Sequence, residues 1–149
     1  MAGKRGTPAM TDAYEIQQLI NRYTLGVSQP DWDLAIATFA DDGEWHVAAS
    51  GLTLTGREAI LKGMQGFHRL FDWFVQVNAP AVIELDGDKA RARSVIRENG
   101  KFAGRDEVVM VGGVYVDDLV RTGEGWRFAR RAFHGAGSFH HPATAGLGF

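Results

Sequence analysis

The stretch Ile83–Glu98 (IELDGDKARARSVIRE) decides the fold class of this 149-residue chain. Its second half alternates between small or apolar residues and arginines, which is typical of a β-strand with one buried face. The turn Asp86–Asp88 comes just before it, and its central glycine can take the positive φ that a hairpin turn requires. The stretch therefore predicts an antiparallel hairpin whose interior face carries Ala90, Ala92, Ser94, Ile96 and Glu98.

More strands are predicted around this hairpin. Val108–Leu119 is apolar on both faces, as expected of a central strand that is covered on both sides. After the turn Gly123–Gly125, a last strand is predicted from Trp126 to His134. The strand pattern begins at about Trp73, so the second half of the chain is predicted to form an antiparallel sheet.

Three helices are predicted ahead of residue 73 from apolar side chains at helical spacing. The first runs from about Asp12 to Val27. A short pair of strands, at about residues 44–49 and 52–54, separates the second helix from the third. The second helix is predicted to bury Trp32, Ala35, Ile36 and Phe39. The third helix is predicted to bury Ile60, Met64, Phe67 and Phe71.

Capping signals precede two of these helices. Ser28 and Asp31 have capping-box spacing, so Ser28 is predicted to cap the second helix, and Thr55 and Glu58 repeat that spacing before the third. Three helices followed by a run of strands are typical of an α+β fold. A curved sheet wrapped over a long helix would leave a pocket between them.

The composition excludes several classes of function. A net charge of -2 gives no basic field for nucleic acid, and the absence of cysteine excludes disulfides, thiolate metal sites and a cysteine nucleophile. No run of about 18 apolar residues is present that would span a membrane. The basic N-terminus is not followed by an apolar stretch, so we expect no secretory signal and a cytoplasmic protein.

One domain is predicted over residues 12–137, with a flexible tail at 1–11 and a tail at 138–149 over the pocket or an interface.

Several stretches resemble the SnoaL-like branch of the nuclear transport factor 2 superfamily. Within that branch, the chain is most similar to the hexachlorocyclohexane dehydrochlorinase and scytalone dehydratase group, over about residues 14–137. The resemblance is carried by Tyr23–Asp42 (YTLGVSQPDWDLAIATFADD), Gly56–Ile60 (GREAI), Ile83–Ala92 (IELDGDKARA) and Gly112–Trp126 (GGVYVDDLVRTGEGW).

This resemblance implies a cone-shaped α+β barrel, in which three N-terminal helices pack on a strongly curved, mostly antiparallel sheet. Enzymes of the group eliminate HX or water without a cofactor, by means of a carboxylate–histidine pair, and are commonly trimers. In this chain the aspartate of that pair falls on Ser28. The histidine falls on Phe74 when counted back from Asn78, and a gap near residues 67–68 would instead bring Asp72 close to that position. Any catalysis must therefore use other groups.

Glu98 is the first of these groups. It lies on the predicted interior face among small and apolar residues, where desolvation would raise its pKa and suit it to act as a general base. The alternative is that the strand ends at Glu98 and that the carboxylate is solvated at the rim, beside Asn99 and Gly100.

Three further candidates could stabilise a departing or developing oxyanion. Tyr23 lies on the buried stripe of the first helix, and Tyr115 is placed in the pocket by the resemblance, although both phenols could equally pack in the core. The resemblance also places Arg131 in the pocket. Plain alternation from Trp126 and Phe128 sends Arg131 to the other face unless a bulge intervenes.

The histidines are weaker candidates. Alternation sends His46 outward, while His68 lies beside the apolar stripe of the third helix, at the pocket entrance or on the surface. The pair His140–His141 has no carboxylate at ligand spacing, so no metal is predicted, and no cofactor is expected. Six apolar residues would favour a flat aromatic or polycyclic ligand if they face the cavity rather than only fill the core: Trp45, Val47, Phe71, Phe74, Val111 and Phe133.

The resemblance and these residues together favour a cofactor-independent lyase for a hydroxylated aromatic or polyketide-like small molecule, in the catabolism of aromatic compounds. The expected reaction is a dehydration-type C–O elimination, extended in one version to C–C cleavage of a diol. Glu98 is the expected base, with Asp72 or His68 as substitutes.

A non-catalytic binding module and an isomerase or cyclase are the alternative functions. We also expect a homo-oligomer, with a trimer favoured, because Val108, Met110, Val114 and Val116 form a second apolar face.

Overall fold

The structure is a computed structural model that describes residues 8–143. Within this range the chain forms three helices, α1 (Pro8–Ser28), α2 (Trp32–Ile36) and α3 (Arg57–His68). Helix α1 buries the predicted stripe, since all of its members are at most 7% exposed: Ile16, Leu19, Ile20, Tyr23 and Val27.

Seven strands form one sheet in the order β2-β1-β7-β6-β5-β3, with β4 also paired to β5. Every pairing is antiparallel except that of β1 with β7, which is parallel. The predicted α+β fold is confirmed. The strands are β1 (Phe39–Val47), β2 (Leu52–Thr55), β3 (Phe71–Asn78), β4 (Val82–Asp86), β5 (Lys89–Phe102), β6 (Glu107–Thr122) and β7 (Gly125–Pro142).

The hairpin that decided the fold class is present as β4 and β5. Gly87 has φ 58° in the turn, and the residues of β5 alternate between buried and exposed as predicted. Strand β5 does not end at Glu98 but continues to Phe102 and pairs with both β3 and β6 along that extension. The alternative of a solvated strand end at Glu98 is therefore wrong.

Two aromatic residues belong to strands rather than to the predicted helices. Helix α2 ends at Ile36, and Phe39 begins β1; helix α3 ends at His68, and Phe71 begins β3. Both phenylalanines are buried as expected. An apolar residue three positions after a helix fits the helical spacing, so periodicity alone cannot separate it from the helix it follows.

Both capping predictions are wrong. Ser28 is the last residue of α1, and its Oγ accepts a hydrogen bond from the backbone N–H of Gln76 at 3.0 Å. Helix α2 is capped instead by Asp31, whose side chain accepts from the Leu34 N–H at 3.1 Å. The N-cap of α3 is Gly56, with φ 83° and no side-chain hydrogen bond.

A β-bulge in β7 decides which way Arg131 points. Asp118 pairs with Arg130 and Leu119 pairs with Phe128, so Ala129 is the extra residue. The extra residue inverts the alternation, and Arg131 therefore lies on the interior face with Phe128. The direction implied by the resemblance is confirmed, and the direction from plain alternation is wrong.

The ends of the predicted domain differ from the observed elements. Helix α1 begins at Pro8, so residues 8–11 are helical rather than part of a tail, and proline's fixed φ suits a first helical turn. Residues 138–142 belong to β7, where they pair with β6. The rest of the predicted tails, residues 1–7 and 144–149, lies outside the described part. Among the described residues, no helix is long and apolar enough to cross a membrane.

Candidate active site

The helices and the concave face of the sheet enclose a cavity of about 610 Å³. Its wall is mostly apolar and aromatic, which suits a ligand that stacks or packs on rings. All six residues predicted to form an aromatic and apolar lining are present in this wall: Trp45, Val47, Phe71, Phe74, Val111 and Phe133.

Three polar side chains form a cluster in this wall, one from each of β3, β5 and β6. Gln76 lies directly opposite Glu98 across the β3–β5 pair, and its Nε2 donates to Glu98 Oε1 at 2.7 Å. The same Nε2 donates to the Tyr115 hydroxyl at 3.2 Å. The amide of Gln76 thus joins the carboxylate to the phenol.

Burial raises the pKa of Glu98 above its ordinary 4.5. The hydrogen bond from Gln76 and the positive charge of Arg131 act in the opposite direction, but they do not outweigh the loss of hydration. The carboxylate is therefore a stronger base than a solvated glutamate, in a wall whose other groups are largely apolar.

Tyr23 and Tyr115 are both buried, with their rings edge to face at 6.0 Å between centroids. Burial raises the pKa of both phenols; for Tyr23, Arg131 and a hydrogen bond with Tyr115 lower it in part. Both side chains line the cavity and keep their protons at neutral pH. They can therefore donate hydrogen bonds to an oxygen of a ligand.

Arg131 lies behind these two rings and is not among the residues that line the cavity. Its guanidinium carbon is 3.8 Å from the ring centroid of Tyr115 and 4.3 Å from that of Tyr23, in cation–π geometry. Direct contact of Arg131 with a ligand, as the resemblance implied, is therefore wrong. The guanidinium supports the phenols from the core.

Asp117, which the sequence analysis missed, pairs with Arg131. Its Oδ2 is 3.4 Å from Arg131 Nη1, and both side chains are fully buried. Burial raises the pKa of Asp117 to about 6, and the attraction of Arg131 offsets this only in part. The signal was present in the sequence, because Asp117 shares a strand face with Tyr115 and Leu119.

The substitutes considered for Glu98 differ in position. Asp72 is exposed, pairs with Lys101 at 2.6 Å between Oδ2 and Nζ, and is absent from the cavity wall. Asp72 is the extra residue of a β-bulge between Phe71 and Trp73, and its side chain is exposed, so its predicted place in the site is wrong. His68 does line the cavity, edge-on to Trp32 at 5.4 Å, and burial lowers its pKa.

The remaining histidines lie away from the polar cluster. His46 faces outward as predicted, with Nδ1 2.8 Å from Thr53 Oγ1. His140 lines the cavity, stacks on Phe102 and pairs with Glu107. Within residues 8–143, no group of three or more histidine, aspartate and glutamate side chains could hold a metal ion.

Known proteins are similar to this chain in sequence and in fold. A protein of Mycobacterium tuberculosis is 31% identical over 134 residues, which cover 82% of this chain and 84% of the relative. A candidate scytalone dehydratase from Novosphingobium aromaticivorans superposes with a TM-score of 0.80 at 22% identity, covering 95% of this chain and 96% of that chain. A type 3 hexachlorocyclohexane dehydrochlorinase from Novosphingobium barchaimii gives a TM-score of 0.80 at 20% identity, covering 95% of each chain.

The two structural likenesses concern the fold, which this chain shares with both Novosphingobium proteins along nearly its whole length. The sequence itself matches the SnoaL-like domain over residues 8–132. The chain therefore belongs to the SnoaL-like domain family of the nuclear transport factor 2 superfamily.

Proposed function

We propose that this protein is a cofactor-independent lyase that removes water from a hydroxylated aromatic or polyketide-like small molecule. The observation that carries the proposal is the position of Glu98, a carboxylate of raised pKa in a mostly apolar cavity, joined through Gln76 to a neutral phenol. Structural neighbours described as a candidate dehydratase and as a dehydrochlorinase support elimination chemistry on this fold.

The proposed reaction balances without an added reagent. Glu98 takes a proton from the carbon next to the carbon that carries the hydroxyl group. The electrons of that C–H bond form the C=C bond as the C–O bond breaks. Tyr115 and Tyr23 donate hydrogen bonds to the departing oxygen, where negative charge develops. The oxygen leaves as water after it takes the proton back from Glu98, so that the carboxylate is regenerated. In a phenolic substrate, the ionised phenol could itself expel the hydroxyl group and form a neutral quinone methide, which then loses the C–H proton to Glu98 and becomes aromatic again.

A non-catalytic binding module is the second candidate. It is favoured by the residues at the two positions that match the family's acid–base pair, which are Ser28 and Phe74. Neither side chain can exchange a proton near neutral pH. Glu98 argues against it, because a site that only holds apolar ligands gains nothing from the free-energy cost of a buried carboxylate.

The experiment that separates them is a turnover screen of hydroxylated aromatic and polyketide-like alcohols, followed through the ultraviolet absorbance of the new C=C bond. We expect E98Q to reduce turnover about 100-fold or more, the usual scale for a lost general base. The matched control is E84Q, because Glu84 is exposed on β4 and forms its ion pair with Arg93. Equal turnover in E98Q and wild type would exclude Glu98 as the base.

A further inference from the structure

A carboxylate–histidine pair lies at one end of the cavity, on strands that do not carry the family's acid–base pair. His140 of β7 lines the cavity, and its Nδ1 is hydrogen-bonded to Oε1 of Glu107 on β6. The positions that match the family's pair hold Ser28 and Phe74 instead. The reaction proposed above uses neither His140 nor Glu107.

Two contacts fix the orientation of the His140 ring. The ring stacks on Phe102 at 6.0 Å between centroids, and Phe102 stacks in turn on Phe71 at 5.0 Å. An ionised carboxylate only accepts hydrogen bonds, so the proton of the neutral imidazole lies on Nδ1, and Nε2 on the far edge is an acceptor. The side chain is 48% exposed, so a molecule in the cavity can reach it.

The strand register separates His140 from Glu98. Glu98 lies opposite Val111 of β6, which lies opposite Ser138 of β7, whereas His140 lies opposite Val109. His140 is therefore two strands across from Glu98, about 10 Å, and two residues along the strand, about 7 Å. The two groups cannot act on the same proton, but they can contact opposite ends of one aromatic molecule.

An imidazole held by a carboxylate is suited to accept a proton from a hydroxyl group. In the phenolic route, the phenol must ionise before it expels the hydroxyl group at the other end of the molecule. The imidazolium formed at His140 would stabilise the phenolate. Arg105 adds positive charge nearby, with its guanidinium carbon 5.6 Å from the centroid of the Phe102 ring.

We infer that His140, positioned by Glu107, is the base that ionises a phenolic hydroxyl group para to the carbinol carbon of the substrate. A phenolate delivers electrons to that carbon only from an ortho or para position, and the separation from Glu98 favours para. The inference rests on the proposed function for the carbinol end of the substrate. Ionisation of a bound phenol does not depend on it.

The proton transfers balance. Nε2 of His140 takes the phenolic proton, and the phenolate forms the quinone methide as the C–O bond breaks. Glu98 takes the C–H proton and passes it to the departing hydroxide, which leaves as water. The phenolate of the product then recovers its proton from His140.

A binding experiment with 4-nitrophenol tests the ionisation, because only the phenolate of this probe is yellow. The protein is titrated in at slightly acidic pH, where the free probe is mostly neutral. We expect the ratio of bound phenolate to bound phenol to be about tenfold higher in wild type than in H140F, the scale of an adjacent opposite charge. H140F keeps a ring to stack on Phe102 but has no nitrogen.

Three further variants identify the acceptor. H141F is the matched control, because His141 is exposed and does not line the cavity, and it should keep the wild-type ratio. E98Q should keep it as well, since Glu98 lies at the other end. E107Q should lower it, because the imidazolium loses its carboxylate. If H140F does not fold, H140Q replaces it.

Equal ratios in wild type and the His140 variant would overturn the inference, and so would a loss of the phenolate in E98Q. Turnover tests the link to elimination: wild type should dehydrate 1-(4-hydroxyphenyl)ethanol about 100-fold faster than its 4-methoxy analogue, and H140F should remove this difference. Phenolate that depends on His140, without any turnover, would discard the lyase and keep the ionising role. Turnover that depends on Glu98, with equal rates for both alcohols and equal phenolate in H140F, would do the reverse.

Discussion

The carboxylate of Asp117 and the guanidinium of Arg131 meet at 3.4 Å with neither side chain exposed to solvent. The pair lies directly behind the two tyrosines of the cavity, since the Arg131 guanidinium contacts both of their rings. Neither Asp117 oxygen accepts a hydrogen bond from the described residues. Desolvation of this carboxylate is therefore compensated only in part.

This imbalance predicts a pH dependence of stability. Asp117 ionises near 3.8 when unfolded and near 6 when folded, so between these values the folded protein binds more protons. The free energy of unfolding should then fall as pH rises from the lower to the higher of these pKa values, by roughly 3 kcal/mol in all. Urea unfolding of wild type and D117N from pH 4 to 7 measures the difference between their stabilities. A difference that does not change with pH would contradict the raised pKa.

The raised pKa of Glu98 predicts the acidic limb of the pH–rate profile. A base must be ionised to accept a proton, so kcat/KM should rise with pH through a midpoint above 4.5. The same shift means that ionisation of Glu98 reduces stability as pH rises past 4.5, and E98Q should be at least as stable as wild type at pH 7. A thermal melt checks the second expectation. An acidic midpoint at or below 4.5 would contradict the raised pKa of Glu98 in the free enzyme.

Ser28→Ala should affect stability more than chemistry. The change removes the acceptor of the Gln76 N–H, at a cost of about 1 kcal/mol in the free energy of unfolding. Turnover should fall far less than in E98Q, because Ser28 holds the backbone of β3 and does not line the cavity. S138A, at an exposed position of β7, is the matched control. A loss of roughly a thousandfold, which is the scale of an acid–base contribution, with unchanged stability would give Ser28 a chemical role.

The outer face of the sheet predicts self-association, with a trimer as the favoured state. The four residues on which the prediction rests are half-buried in β6: Val108, Met110, Val114 and Val116. Beside them, Val75, Val77 and Val95 on β3 and β5 are 43%, 55% and 62% exposed. Exposed apolar surface of this kind favours association with another copy. V95K should therefore shift the oligomer towards monomer in light scattering, whereas Y14K, on the exposed side of α1, should not. A wild-type monomer at micromolar concentration would exclude this prediction.

Much of the fold could be predicted from periodicity, because burial on one side dictates which residues can alternate or recur. The β5 strand and the stripe of α1 are examples. The caps failed because Ser28 has the right spacing for a cap but finds its partner in β3, far along the chain. Local motifs do not contain that contact.

The candidate site could be predicted only in part. Glu98 and the cavity lining follow from strand alternation and the family resemblance. Gln76 was missed although it follows Phe74 by two positions and so shares its face. The bulge at Ala129, which brings Arg131 inward, has no signal in the local alternation, because alanine and arginine fit either face, and only the family resemblance indicated that direction.

The different contributions of the sheet and of helices α2 and α3 to the cavity have a consequence for protein engineering. The polar cluster is supplied by β3, β5 and β6, whereas Trp32, Met64 and His68 of α2 and α3 contribute only to the surrounding wall. A combinatorial library restricted to these three helical positions would vary the shape of the cavity while it leaves Gln76, Glu98 and Tyr115 in register. Selection from such a library could retarget the protein to new ligands without rebuilding its proton-transfer groups.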